Sequence, residues 1–465
     1  MFIPFSTRSI SPPSLAHLAP SRSTVSVTGE VSPRKRISVK MALALRAAIL
    51  GHVLVPVVVN ISKLLTPSLW TRGTTAVRLI HRRSRRLNMV PICSLLISVA
   101  LLLQSTSTFS SPDCNFPAVF NFGDSNSDTG GLSAIFGQFP PPNGQTFFHS
   151  PAGRHSDGRL LIDFIAEGLG LPYLSPFLDS MGTNFSYGAN YATAGSTIRR
   201  QNTTIFQSGY SPVSLDVQFA QFSDFFKRSQ IIRKKGDVFK SLFPENYKFS
   251  SALYTFDIGQ NDLTAGYKLN MTTEQVKSYV PDLISQFTAV IKNVYGLGGR
   301  AFWIHNTGPV GCLPYIMDTR LITAAQVDQH GCAAPFNGVS QYFNQKLKEA
   351  VIQLRKELHS AAITYVDIYS VKYSLVAQAK KLGFGDPFLV CCGHGGKYNF
   401  NNARRCGSTK MVKGKEILIA NSCKDPSSRI SWDGIHFTEA ANRWMYSQIA
   451  DGAFSDPPTP LKMAC

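Results

Sequence analysis

Several absences narrow the reading before any motif is considered. The 465 residues hold no Gly-x-Ser-x-Gly pentapeptide, which removes the nucleophile elbow of the conventional α/β-hydrolases. They hold no Cys-x-x-Cys pair and no Cys/His cluster at zinc spacing, so nothing calls for a metal, and no motif calls for an organic cofactor. No uncharged apolar stretch reaches the roughly 18–20 residues that a membrane-spanning helix needs. No internal repeat is present. Acidic residues are almost missing from the first quarter of the chain. Residues 1–112 contain 14 of the 47 Lys and Arg but only Glu30 of the 28 acids. Most of the formal charge of +19 therefore sits there, and residues 113–465 carry only +6. Read as dispersed, that remainder argues against a nucleic-acid partner, which needs basic residues gathered on one face.

What is present begins with an export pattern. The cluster Arg82-Arg83-Ser84-Arg85-Arg86 precedes the apolar run Val90–Leu103 and the small polar stretch Gln104–Ser111. A basic flank, a short apolar core and small residues describe a secretory signal peptide over residues 89–112. Residues 1–88 are rich in Ser and Arg and are given no fold. They read either as an organelle transit peptide or as an extension upstream of a true start at Met89. A transit peptide ahead of a complete export signal is redundant, which favours the second reading. Residues 113–465 then form the folded domain, expected outside the cell. Cys93 leaves with the signal, and the eight remaining cysteines suggest disulfides whose pairing cannot be deduced from sequence. Sequons at Asn184, Asn202 and Asn270 fit an exported glycoprotein.

From Asp113 onward, short apolar runs alternate with segments of helical period. Strands are expected at Pro117–Phe122, Ala252–Ile258, Arg300–Asn306 and Ala362–Ile368. Helices are expected over Thr273–Tyr295 and Phe343–His359, with Thr438 capping a last one through Ile449. This alternation predicts an α/β fold, a three-layer α/β/α sandwich on a mostly parallel sheet. Sites in such folds form outside the carboxyl ends of the strands. Cys391–Cys423 reads as a long ordered loop stapled by disulfides, and Phe139–Gly158 as another long loop. Phe136–Phe148 reads equally as the lining of an apolar pocket or as a packed surface loop.

Two motifs carry chemistry. Phe122-Gly-Asp-Ser-Asn-Ser-Asp-Thr-Gly130 follows the first strand, where Ser125 can enter the crevice and a following helix N-terminus can supply N–H groups. Alone it is an ordinary turn sequence. Near the C-terminus, Trp432-Asp-Gly-Ile-His-Phe-Thr438 offers the partner. A serine hydroxyl needs a base, and a histidine base needs an acceptor on its other nitrogen. Asp433, three residues before His436, can curl back to that nitrogen. Asp124, Asp128, Asp163, Glu167 and Asp257 read as structural or solvated carboxylates. His149, His155, His305 and His394 show no partner at ligand spacing.

Together, Gly123-Asp124-Ser125 and Asp433-x-x-His436 resemble the GDSL branch of the SGNH hydrolases. Gly153–Ile165 and Thr307–Pro314 look like the plant GDSL esterase/lipases, and Asn121–Gly137 with Gly188–Thr204 resembles the early-nodulin type. The resemblance spans about Phe116 to Ala450. It implies a flavodoxin-like sandwich and a serine esterase acting on small-molecule esters, without cofactor. It further implies Ser125, Asp433 and His436 as the triad, with Ser125, Gly195 and Asn261 as oxyanion donors. Asn126 stands where the family name has Leu. An acyltransferase would use the same residues. A non-catalytic secreted glycoprotein could keep the fold, and a glycosidase would need a carboxylate pair that the sequence does not display.

Overall fold

The structure, a computed structural model, describes residues 113–465 apart from Ser180, residues 202–209 and Asp237. The expected signal segment 89–112, the extension 1–88 and the sequon at Asn202 lie outside the described residues. Among these, one sheet is built from β1 (Val119–Gly123), β2 (Gly188–Asn190), β3 (Leu253–Asp257), β4 (Ala301–His305), β5 (Ala362–Val366) and β8 (Ser455–Asp456). Its order is β2-β1-β3-β4-β5-β8, parallel throughout except for β8, which runs antiparallel to β5. A hairpin of β6 (Thr409–Val412) and β7 (Lys415–Leu418) stands apart.

Period-two alternation makes the layers. Phe120, Phe122, Tyr254, Phe256, Phe302 and Ile304 join one buried cluster. Val119, Leu253, Ala301 and Trp303 join another. A strand buried on both faces must be apolar at nearly every position, which is why these runs show no polar alternation. The first face is covered by three helices, Leu215–Lys235, Val280–Gly296 and Ala334–Glu357. The second is covered by Leu161–Gly168, Ile368–Ala377 and Glu439–Ile449. The result is the expected three-layer sandwich. The strand order reverses between β1 and β3, and that switch point opens a crevice at their carboxyl ends.

Some element limits differ from expectation. Thr273–Tyr295 is two helices, Thr273–Ser278 and Val280–Gly296, because Pro281 lacks an N–H and fits only in a first turn. The helix expected from Phe343 begins at Ala334, with Pro335 in its first turn. Strands β2, β6, β7 and β8 have two to four residues, too few to show a period. All eight cysteines of this region are paired, as Cys114–Cys465, Cys312–Cys332, Cys391–Cys423 and Cys392–Cys406. Within the Phe139–Gly158 loop, the ring of Phe147 lies 4.0 Å from the Arg159 guanidinium and that of Phe148 lies 4.5 Å from the Arg154 guanidinium. Phe147 is otherwise exposed and Phe148 half-buried, so each ring has one face on an arginine.

Candidate active site

Ser125 sits two residues beyond β1 and is buried. The end of β1 is clamped by Gln218, whose side chain accepts from Gly123 N (3.0 Å) and donates to Gly123 O (2.8 Å). Gln218 was not singled out in the sequence; it is a polar residue on the inward face of the helix Leu215–Lys235. Asp124 N–H donates to Asp257 O, which ties the turn to β3. Asp128 organises the other side. Its carboxylate accepts from Gly130, Gly131, Leu132 and Ala194 N–H, joining the Ser125 turn to the loop after β2. The expectation that a helix N-terminus serves Ser125 is therefore corrected. The next helix, Gly131–Phe136, starts six residues later, and Asp128 already occupies its first N–H groups.

Gly195 lies on that second loop with φ +81°, a backbone conformation that side chains with a Cβ disfavour. Asn261 lies in the first turn of the helix Gln260–Lys268, which directly follows β3. Its amide donates to Ser196 O at 2.9 Å and leans toward Asp124 Oδ2 at 3.4 Å. The Ser125 turn, the Gly195 loop and Asn261 thus meet at one point. Among the described residues, neither Ser125 N–H nor Gly195 N–H donates a hydrogen bond.

Asp433 and His436 form a second unit. The Asp433 Oδ2 accepts from His436 Nδ1 at 2.6 Å, while Oδ1 accepts from the backbone of Ile435 and His436. Gly434 makes the turn possible with φ +94°. Burial alone would raise the Asp433 carboxyl, but the charge and hydrogen bonds of His436 hold it below the usual carboxylate range. The remaining ring nitrogen, His436 Nε2, is buried without a partner. His436 lines a mainly apolar cleft of about 410 Å³, mouth included, together with Gln260, Gly308 and Leu313. Gln260 is the chain neighbour of Asn261; Ser125, Gly195 and Asn261 themselves are not among the residues that line this cleft.

Two histidines read as partnerless, His155 and His305, have partners. His155 stacks on His436, with ring centres 4.5 Å apart and planes 13° apart, and Phe139 covers its other side at 3.9 Å. Burial and the neighbouring His436 hold His155 well below its ordinary value, so it stays neutral. His155, Asp433 and His436 are the one metal-competent cluster among the described residues. Stacked rings send their lone pairs side by side rather than to a common point, which suits ring positioning better than chelation. Asp257 and His305 form a second Asp–His pair at 3.4 Å. There the outer nitrogen is taken, because Trp303 Nε1 donates to His305 Nε2 at 3.1 Å. The sequence displays only the pair Asp433–His436, three residues apart; Asp257 and His305 are 48 residues apart, and in the structure the group at the outer nitrogen tells the two pairs apart.

Residues 119–449 match the family model described as GDSL-like Lipase/Acylhydrolase. A GDSL esterase/lipase of Arabidopsis thaliana is 67% identical over 76% of this chain and 93% of its own length. Alpha-L-fucosidase 3 of the same plant is 58% identical over 78% of this chain and 98% of its own. GDSL esterase/lipase ENOD8 of Medicago truncatula is 50% identical over 81% and 96%. With its parallel sandwich and a match across nearly the whole described domain, the chain belongs to the GDSL-like lipase/acylhydrolase family of ester hydrolases.

Proposed function

We propose that this protein is an exported serine esterase in which Ser125, His436 and Asp433 act as a triad. The observation that carries the reading is the state of His436. One ring nitrogen is held by Asp433, and the other is buried, unpartnered and beside a cleft. An orphaned buried nitrogen costs stability unless function uses it. In this reading His436 Nε2 takes the Ser125 proton as Oγ attacks the ester carbonyl. The carbonyl oxygen becomes an anion, received by Ser125 N–H, Gly195 N–H and the Asn261 amide. His436 then gives the proton to the departing alcohol. Water, deprotonated by the same nitrogen, cleaves the acyl-enzyme and frees Ser125.

The fucosidase relative raises a glycosidase reading, which needs two carboxyl groups facing a sugar across about 5–10 Å. Asp124 and Asp257 are buried neighbours, and burial followed by the charge of Asp257 raises Asp124 to about 7. Yet Asp124 is 0% exposed, and its Oδ1 is bound by the Asn126 backbone and side chain. That pair cannot meet a bound sugar.

Purified protein is expected to hydrolyse p-nitrophenyl acetate or butyrate, and Ser125→Ala to reduce turnover to background. Turnover retained in that variant removes the proposed nucleophile. Export is supported by the four disulfides, which form in oxidising compartments. Asn184 and Asn270 are exposed and available to glycosylation. We assign 89–112 as the signal and 1–88 as a segment outside the domain; 76% of this chain suffices to cover 93% of the Arabidopsis esterase/lipase.

A further inference from the structure

The excess charge of the domain is not dispersed. Residues 391–424 contain Lys397, Arg404, Arg405, Lys410, Lys413, Lys415 and Lys424 against one acid, Glu416. That excess equals the whole +6 of residues 113–465, so the rest of the domain is neutral. All seven cations are exposed. None of them forms an ion pair among the described residues.

The segment is a fixed arm. Cys391–Cys423 and Cys392–Cys406 staple it around the β6–β7 hairpin. Its root hydrogen-bonds to the chain just before Asp433, through Cys391 N to Ser431 O and Cys392 N to Trp432 O. It also abuts the long loop that carries His155. Gln145 Nε2 donates to Ser422 Oγ at 2.6 Å, and Gly407 packs against Pro140. The positive charge of Arg405 is felt at His155, the ring stacked on His436. The root of the arm and Arg405 therefore stand beside the His155–His436 stack, and the remaining cations extend from that root.

Lysines on an unpaired hairpin protect its edges from aggregation. That accounts for Lys410, Lys413 and Lys415 but not for the four cations outside the hairpin. We propose that the stapled arm is a docking surface for an acidic polysaccharide, a chain of carboxylate-bearing sugars held beside the cleft. Charge complementarity over seven unpaired cations requires a polyanion. Four disulfides place the domain where nucleic acid is not the resident polyanion. The exposed apolar residues of the hairpin are Met411, Val412 and Ile417, without the aromatic wedge that lipid-interface binders bury. That a docked chain presents ester groups to His436 rests on the esterase reading; the docking itself does not.

The test is binding to polygalacturonate at about 50 mM salt, where phosphate- or carboxylate-type contacts are least screened. The parent protein is expected to bind, and to release progressively as salt rises. Lys410→Ser/Lys413→Ser/Lys415→Ser is expected to weaken binding at least tenfold at an unchanged thermal midpoint, and adding Arg404→Ser/Arg405→Ser to weaken it further. Ser125→Ala is expected to bind as the parent does, so a failed esterase reading and a failed docking surface are read apart. Equal binding by the lysine variant, equal retention of the parent on uncharged amylose, or preferential capture by phosphatidylserine vesicles overturns the proposal.

Discussion

His436 and His305 are both buried imidazoles beside an aspartate, and one hydrogen bond separates them. Trp303 donates to the outer nitrogen of His305, which leaves it no lone pair for a proton. Nothing donates to His436 Nε2 among the described residues. A general base needs a free lone pair first and a suitable pKa second. Asn261 illustrates the same economy on the donor side. One amide hydrogen is held by Ser196 O, and the other makes only a 3.4 Å contact to Asp124 that a developing oxyanion can outcompete. Asn261→Ala is expected to lower kcat by about 10²–10³ with KM changed far less, since the donor acts on charge that develops in the transition state. Steady-state kinetics on p-nitrophenyl butyrate measures the split; a loss confined to KM removes Asn261 from the oxyanion group.

At the scale of elements, the local Asp433–His436 spacing was legible because three residues of chain suffice to close the pair. What permits closure is Gly434. Its φ of +94° is open to glycine, and a Cβ there would sit 2.4 Å from Phe400 Cδ2, on the stapled arm. Phe400 is itself buried, so it has little room to move. Gly434→Ala should therefore strain the loop by about 1–3 kcal/mol and displace the imidazole. The expected result is at least a tenfold loss of kcat/KM with binding to polygalacturonate retained; wild-type turnover in Gly434→Ala contradicts this account of the loop. Strands β1, β3, β4 and β5 were legible for a related reason. Each is buried on both faces, so its run of five residues is mainly apolar, with Asn121, Thr255, Asp257, His305 and Thr364 as buried polar exceptions. Strand β2, with three residues, and the hairpin, with four per strand and almost wholly exposed, offer no such run. The Thr273–Tyr295 period continued across Tyr279 because both helices bury the same side, and only Pro281 marked the break.

At the scale of the whole molecule, the first and last parts of the domain close on each other. Cys114 pairs with Cys465, and Cys114 N–H donates to Lys462 O at 2.7 Å. On the proposed export reading, processing therefore cuts before Cys114. N-terminal sequencing of the secreted protein is expected to give a start near Asp113, and thiol titration of the denatured, unreduced protein no free cysteine. A start beyond Cys114 contradicts both the proposed signal and the closure. Buried ion pairs knit the same regions. Arg154 pairs with Asp163, and Arg159 reaches Glu439 on the last helix at 2.7 Å. Asp163 reads as a plain structural residue in sequence, and it is structural; Glu439, the partner of Arg159, lies 280 residues away and carries no signal in the sequence.

The sequence by itself determined the class of the fold, because an alternation of doubly buried strands and one-sided helices is written in local apolar periods. It also determined the family, whose motifs are short and rigid in order. Tertiary structure alone decided which cysteines pair, and which of two Asp–His pairs keeps a free nitrogen. It alone placed His155 against His436 and brought the root of the basic arm beside that stack. The physical reason is common to all of these. The cysteine pairs, the His155 stack and the place of the arm depend on contacts between residues distant in the chain, and even the Trp303–His305 contact, two residues apart, needs the fold to orient it; a linear pattern records what a segment buries but not which group it meets.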